Sequence, residues 1–261
     1  VGSDMCIRDS FQGPSQFNLL EMTCPSITPE DGVSIYELDW TQGPACAIAC
    51  GGGTIYRNYF APVVDGRVSE LVDAPRGQTA DNQIDCLAAL EAELASPELR
   101  PWQMRNGYAM AETPQLEQTN RKLSKLDNAQ RERLKGLLRV GVQHDVEVVD
   151  SGHNVTQVYA SGVPVSYCTP MRELWEPLAR VILEAAYEAT IRVALRCGIR
   201  DVYLTLLGGG VFGNDIHWIG DSVLSALSLA GGLDVRIVSF GQPHPGVARI
   251  INAFEQGTTH I

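Results

Sequence analysis

The residues of this 261-residue chain best placed to do chemistry are glycines, not acids or nucleophiles. Leu204-Thr-Leu-Leu-Gly-Gly-Gly-Val-Phe-Gly-Asn214 begins inside an apolar run, Val202 to Leu207, that reads as a buried strand. It ends where an amphipathic helix is expected, near Asp215. Strand, glycine loop and helix start hold a phosphate with backbone alone. Glycine lets the main chain approach an anion, and the free N–H groups at a helix start point at it. The helix dipole there is equivalent to about half a positive charge.

Gly208, Gly210 and Gly213 satisfy G-x-G-x-x-G. A dinucleotide-binding unit also needs an acid at the end of the next strand, for the ribose hydroxyls. That strand ends Val238-Ser239-Phe240, and its one acid, Asp234, stands at the wrong end. A Rossmann-like NAD-dependent oxidoreductase is therefore an alternative and not the leading reading. No Gly-Lys-Ser/Thr follows the glycines, which excludes a Walker loop.

Gly208-Gly-Gly-Val-Phe-Gly-Asn214 resembles the second phosphate-binding loop of macro domains. The resemblance implies a three-layer α/β/α sandwich with a mixed, mostly parallel sheet. It implies binding of ADP-ribose or a related NAD-derived nucleotide, and in some members hydrolysis of ADP-ribose links. Carried onto this chain, it implies that the backbone of Gly208, Gly209, Gly210, Val211, Phe212 and Gly213 cradles a diphosphate, with Phe212 against the distal ribose region and Asn214 as a further ligand-binding candidate. Such loops are paired with an earlier helix start. Here that role falls to Thr41, Gln42 and Gly43, ahead of the small-residue run Ala45-Cys-Ala-Ile-Ala-Cys50. The order matches the family and the letters do not, which leaves the catalytic assignment open. Ser15-Gln-Phe-Asn-Leu-Leu-Glu-Met22, Thr41-Gln-Gly-Pro-Ala-Cys-Ala47 and Thr54-Ile-Tyr-Arg-Asn-Tyr59 resemble an uncharacterised macro-domain-like group, which lends no chemistry.

Several polar residues are candidates to complete a pocket. Gln16 and Asn18 carry amides that donate and accept together, and so suit a ribose or a base; solvation at a strand edge explains them equally. Asn18 and Asp39 are the candidate catalytic residues, Asp39 as a general base or an adenine acceptor, although capping the helix near Thr41 accounts for it as well. Tyr56-Arg57-Asn58 offers a cation and donors to a phosphate, or an ordinary exposed helix face. Glu184, Glu188 and Arg192 read as surface pairs, Arg180–Glu184 and Glu188–Arg192. No cofactor is expected. His144, His153, His217, His244 and His260 are scattered and no CxxC occurs, so no metal site is expected either.

The elements around these residues read as follows. Phe11 to Met22 is a strand. Thr28-Pro29-Glu30-Asp31 and Thr41-Gln42-Gly43-Pro44 open helices. Val63 to Val72 is strand-like with a turn at Asp65-Gly66, Thr79 to Leu94 is a helix, and Trp102 to Met110 is a strand. Residues 112–138 form a charged helical pair broken near Asp127-Asn128, a peripheral insertion. Beyond Val140 strands and helices alternate: strands at 140–149, 155–167, 201–207 and 233–240, helices at 171–197, 215–230 and 247–254. That alternation with apolar strands predicts a sheet covered on both faces.

Met5-Cys-Ile-Arg-Asp-Ser10 resembles a translated sequencing-library adapter, so residues 1–10 are set aside as an artefactual tail and 11–261 are taken as one domain. Without Asp4, Arg8 and Asp9 the net charge moves from −11 to −10. That balance argues against general nucleic-acid binding but not against a nucleotide held by amides. With 44% hydrophobic residues, 20% charged residues and no membrane-length apolar run, the chain reads as a globular, cytoplasmic protein that does not bind membranes. Six cysteines outside the tail read as a reduced, packed set. Catalysis by ADP-ribosyl hydrolysis is possible on this reading, and the alternative on the same fold is a non-catalytic protein-interaction scaffold.

Overall fold

A computed structural model describes residues 9–239 and 241–257; residues 1–8 of the set-aside tail, Phe240 and His260 lie outside them. Strand β1 (Asp9–Pro14) leads through two short 3-10 turns to α1 (Gln42–Ala49) and α2 (Gly51–Ile55), which widens into a π turn over Tyr56–Phe60. A small hairpin, β2 (Val63–Val64) with β3 (Arg67–Val68), precedes α3 (Ala88–Leu94). A second hairpin, β4 (Gln103–Arg105) with β5 (Tyr108–Met110), precedes α4 (Thr113–Leu123) and α5 (Asn128–Lys135). Strands β6 (Gly141–Glu147) and β7 (Asn154–Ala160), helix α6 (Arg172–Cys197), strand β8 (Asp201–Leu204), helix α7 (Ile216–Leu227), strand β9 (Asp234–Ile237) and helix α8 (Pro245–Glu255) follow.

The main sheet runs β6-β7-β1-β8-β9. Four strands are parallel and β6 is antiparallel at one edge. Strand alternation divides its two coats. Gln12 points toward α6, where its Nε2 donates to Thr190 Oγ1 at 2.9 Å. Phe11 points the other way and stacks on Tyr203 with ring centroids 4.4 Å apart. On that second face Gln157 Nε2 donates to the carbonyl of Cys46, tying α1 to β7 at 3.0 Å. One face is thus covered by α6 packed with α7, the other by α1. The result is an α/β sandwich: the sheet is covered on both faces, as the alternation predicts, and it is mixed and mostly parallel, as the resemblance implies.

Three expectations change in detail. Strand β1 stops at Pro14, not Met22, and it takes in Asp9 and Ser10; Ser10 is buried and pairs with both Thr156 and Val202. Beyond Pro14 side-chain amides replace the ladder. Asn18 Oδ1 accepts from Leu20 N, and Gln16 Oε1 accepts from Met22 N at 2.6 Å, bending the chain through Leu19 at φ 65°. The segment 102–110 is a hairpin and not one strand. Asn106 and Gly107 both have positive φ, which is the type I′ turn that an Asn-Gly pair favours. Of 79–94 only α3 is helical, because Gln78 Oε1 and Asp85 Oδ1 accept from the amides of Ile84 and Leu87 and hold the start in a loop.

Helices α4 and α5 form the expected pair, with Asp127 capping α5 through the Gln130 amide at 2.8 Å. They dock on α6 through buried Leu116, Leu123 and Leu134. Lys135 is buried between Glu188 and Glu184, at 2.5 and 3.7 Å, and Arg131 also reaches Glu184. The expected Arg180–Glu184 pair is therefore displaced, and Arg180 bonds Glu176 and Asp221 instead. The Glu188–Arg192 pair is present at 3.9 Å. Among the described residues no helix is long and apolar enough to cross a membrane.

Candidate functional site

Strands β7, β1 and β8 lie side by side and parallel, and the chain leaving each one lines the same cavity of about 550 Å³. Pro14, Ser15 and Gln16 come from the end of β1, Ala160 to Gly162 from the end of β7, and Leu206 to Gly208 with Gly210 to Phe212 from the end of β8. The chain after β1 goes to α1 on one face, and the chain after β8 goes to α7 on the other. The cavity therefore opens at a topological switch point, where the diverging chains leave a crevice at the carboxyl ends of the strands.

The glycine loop forms one wall. Gly209 N, Gly213 N and Asn214 N are engaged within the loop, bonding Leu206 O, Gly210 O and Gly208 O. The N–H groups of Gly208, Gly210, Val211 and Phe212 make no hydrogen bond among the described residues, and these four residues line the cavity. Gly208 and Gly213 have φ of 67° and 75°, a conformation that favours glycine. Asn214 is buried behind the loop, where its Nδ2 donates to Val163 O at 2.7 Å and to Gly208 O at 3.2 Å. Gly209, Gly213 and Asn214, expected as ligand contacts, are thus the internal frame of the loop.

The first turn of α1 forms the facing wall with Asp39, Trp40, Thr41, Gln42 and Gly43. Thr41 is the N-cap but makes no side-chain capping bond, so the opening amides of α1 lack a side-chain acceptor. Asp39 Oδ1 accepts from Thr41 N at 2.8 Å; the aspartate both braces this turn and lines the cavity. Trp40 is 87% exposed at the rim, whereas Trp102, Trp175 and Trp218 are buried.

Four candidate residues sit elsewhere or act differently. Asn18 is fully buried and does not line the cavity. Its Nδ2 donates to Gln83 Oε1 at 2.9 Å and its Oδ1 accepts from Leu20 N, which is the work of a turn and not of a catalyst. Arg57 and Asn58 are also buried. The Arg57 guanidinium lies 3.6 Å from the ring centre of Tyr159, with Nε donating to Leu19 O and Nη2 to Thr54 Oγ1, so it presents no cation to a ligand. Asn58 Nδ2 donates to Pro29 O. Gln16 does line the cavity, but its Oε1 is taken by Met22 N.

The floor holds residues that the sequence did not single out for the site. Tyr108 of β5 donates to Met22 O at 2.5 Å and packs on Phe212 and Tyr167, with ring centroids 5.3 and 5.1 Å away. These contacts join the hairpin, the glycine loop and the segment after β7. Glu21, also lining the cavity, is 6% exposed. Burial pushes its carboxyl well above the usual range. Arg57 opposes that shift without overcoming it, and Asp39 adds to it. The same burial raises the Cys46 thiol to about 11, with Glu21 contributing.

No family model matches the chain, and no curated protein matches it. Among solved structures, a chain described as alphavirus P23pro-zbd is similar in part. The identity is 20%, the match covers 45% of this chain and 16% of that one, and the TM-score is 0.33.

Proposed function

We propose that the protein binds ADP-ribose or a related NAD-derived nucleotide in the cavity between α1 and the glycine loop. The observation that carries this reading is the row of unbonded N–H groups at Gly208, Gly210, Val211 and Phe212 on the cavity wall. The cavity lining holds no Lys or Arg among the described residues, so backbone dipoles are the means left for holding a diphosphate there. The first turn of α1 adds a second set of amides, an end worth about 0.3–1 kcal/mol to an anion. The volume falls within the roughly 300–1,000 Å³ of small-molecule sites. Trp40, Tyr167 and Phe212 offer aromatic faces for a base. The macro-domain-like order of strand, Gly208 to Asn214 and helix supports this class of nucleotide.

Hydrolysis of an ADP-ribose link is a second reading, favoured by the presence of two carboxyl groups, Asp39 and Glu21, on the cavity lining. Asp39 is then the base that activates water. Titration calorimetry with ADP-ribose, NAD, AMP and ATP tests binding, and incubation with ADP-ribosylated protein, nucleic acid and small metabolites tests turnover. Absence of heat from all four nucleotides with folded protein overturns the binding reading. Heat without turnover leaves a reader.

A further inference from the structure

Glu21 stands out among the buried polar groups. Neither of its carboxyl oxygens makes a hydrogen bond among the described residues, and Oε1 is wholly enclosed. Its one hydrogen bond among the described residues is through the backbone amide, which donates to Tyr36 Oη at 3.0 Å. A buried carboxyl without a partner is costly, and natural proteins leave few of them unless a partner arrives from outside. Glu21 is on the cavity lining, so that partner has a route.

Its position says what the partner is. The carboxyl lies directly under the first turn of α1, since a β-carbon on Gly43 would fall 2.7 Å from Glu21 Cδ and 2.8 Å from Oε1. Glycine at 43 is what allows the acid and the helix start to share this corner. A helix start attracts anions, and an ionised glutamate would repel them. An un-ionised acid there does the opposite: it adds an O–H donor to the amides around it. The ionisable and charged groups around the carboxyl are Arg57 of the π turn, Asp39, Tyr36, Cys46 of α1 and Tyr108 of β5. Arg57, the one cation, spends Nε and Nη2 on Leu19 O and Thr54 Oγ1 and forms no ion pair with Glu21. Arg57 favours the ionised form by its charge alone, and burial outweighs it.

We propose that Glu21 is a ligand-binding residue that works in its un-ionised form, donating a hydrogen bond to an anionic phosphoryl oxygen held at the first turn of α1. This rests on the nucleotide reading of the cavity. It adds to that reading a coupling between ligand and proton: the acid must be protonated for the ligand to bind, so alkali weakens binding. No bond is made or broken and the proton stays on Glu21.

The test is calorimetric titration of ADP-ribose from pH 5 to pH 9 into wild-type protein and Glu21→Gln, whose amide is a neutral donor at every pH. Wild-type affinity is expected to fall by up to about tenfold per pH unit once the acid ionises, and the Glu21→Gln variant is expected to show no such fall. A second measurement needs no variant. Binding to wild type in two buffers of different ionisation enthalpy is expected to show uptake of about one proton above the acid's titration and none below it. Binding with parallel pH profiles in the two proteins, or with no proton uptake, overturns the role of Glu21 and leaves the nucleotide site standing. No binding by folded wild type at any pH overturns the nucleotide reading and this coupling with it.

Discussion

The side-chain amide of Asn214 donates to the carbonyl of Gly208 at 3.2 Å, so the residue that ends the glycine loop also closes it. Its second bond, to Val163 O, fastens the loop to the chain leaving β7. Asn214→Ala leaves those two carbonyls without this donor, with a stability loss of about 1–3 kcal/mol expected from urea denaturation. ADP-ribose affinity should fall with it, because the wall amides lose their support. Unchanged unfolding would remove Asn214 from the frame of the loop.

Gly210 and Gly213 should respond in opposite ways. A β-carbon at Gly210 meets open space, so Gly210→Glu is expected to fold with an unchanged melting temperature. It places a carboxylate where a phosphate belongs and should cost at least about tenfold in affinity. At Gly213, with φ of 75°, a β-carbon would collide with Ser166, so Gly213→Ala should lose about 1 kcal/mol or more of stability. Equal affinities for Gly210→Glu and wild type, read by calorimetry, would move the anion elsewhere.

Trp40 is the one exposed tryptophan among the described residues. A change in intrinsic fluorescence as ADP-ribose is added should therefore originate at the cavity rim. Trp40→Ala should abolish the change and weaken binding by about 1 kcal/mol, the order of one aromatic contact. A full signal surviving in the Trp40→Ala variant would locate the ligand away from α1.

Glu21 also predicts how the ligand-free protein behaves. Its carboxyl titrates higher folded than unfolded, so its contribution to stability is fully present below the unfolded carboxylate range. That contribution is lost as pH rises toward the folded value. Glu21→Gln has no proton to lose, so its advantage over wild type should grow between pH 4.5, the ordinary glutamate value, and neutrality. Chemical denaturation across that range checks it, and a constant difference would mean that the acid is ionised in the fold.

The parts of the site legible in the sequence are those where backbone demands dictate residue type. Gly208 to Phe212 stand out because amides aimed at an anion need glycine, and Thr41 to Gly43 because helix starts have their own residue preferences. Glu21, Tyr108 and Tyr167 gave no such signal, since their roles come from contacts between distant segments. Tyr108 reaches Met22 across 86 residues. The hairpin that carries Tyr108 was announced by Asn106-Gly107, but the apolar residues on either side read as one continuous strand. Arg57 misled for a related reason. A cation in a helical stretch looks solvent-facing until Tyr159 is found beneath it. Alternation beyond Val140 gave the sheet because β7 and β8 are largely buried and each helix is long enough to show its period.

The two walls of the cavity come from residues 39–43 and 206–212, brought together by the pairing of β1 with β8. No contiguous fragment shorter than residues 39–212 contains both. A cut at the exposed turn around Ser151-Gly152 separates β1 and α1 from β7 and β8. Each half then carries one wall and neither carries a cavity. Recovery of the proposed nucleotide binding on mixing the halves would report reassembly of the central sheet.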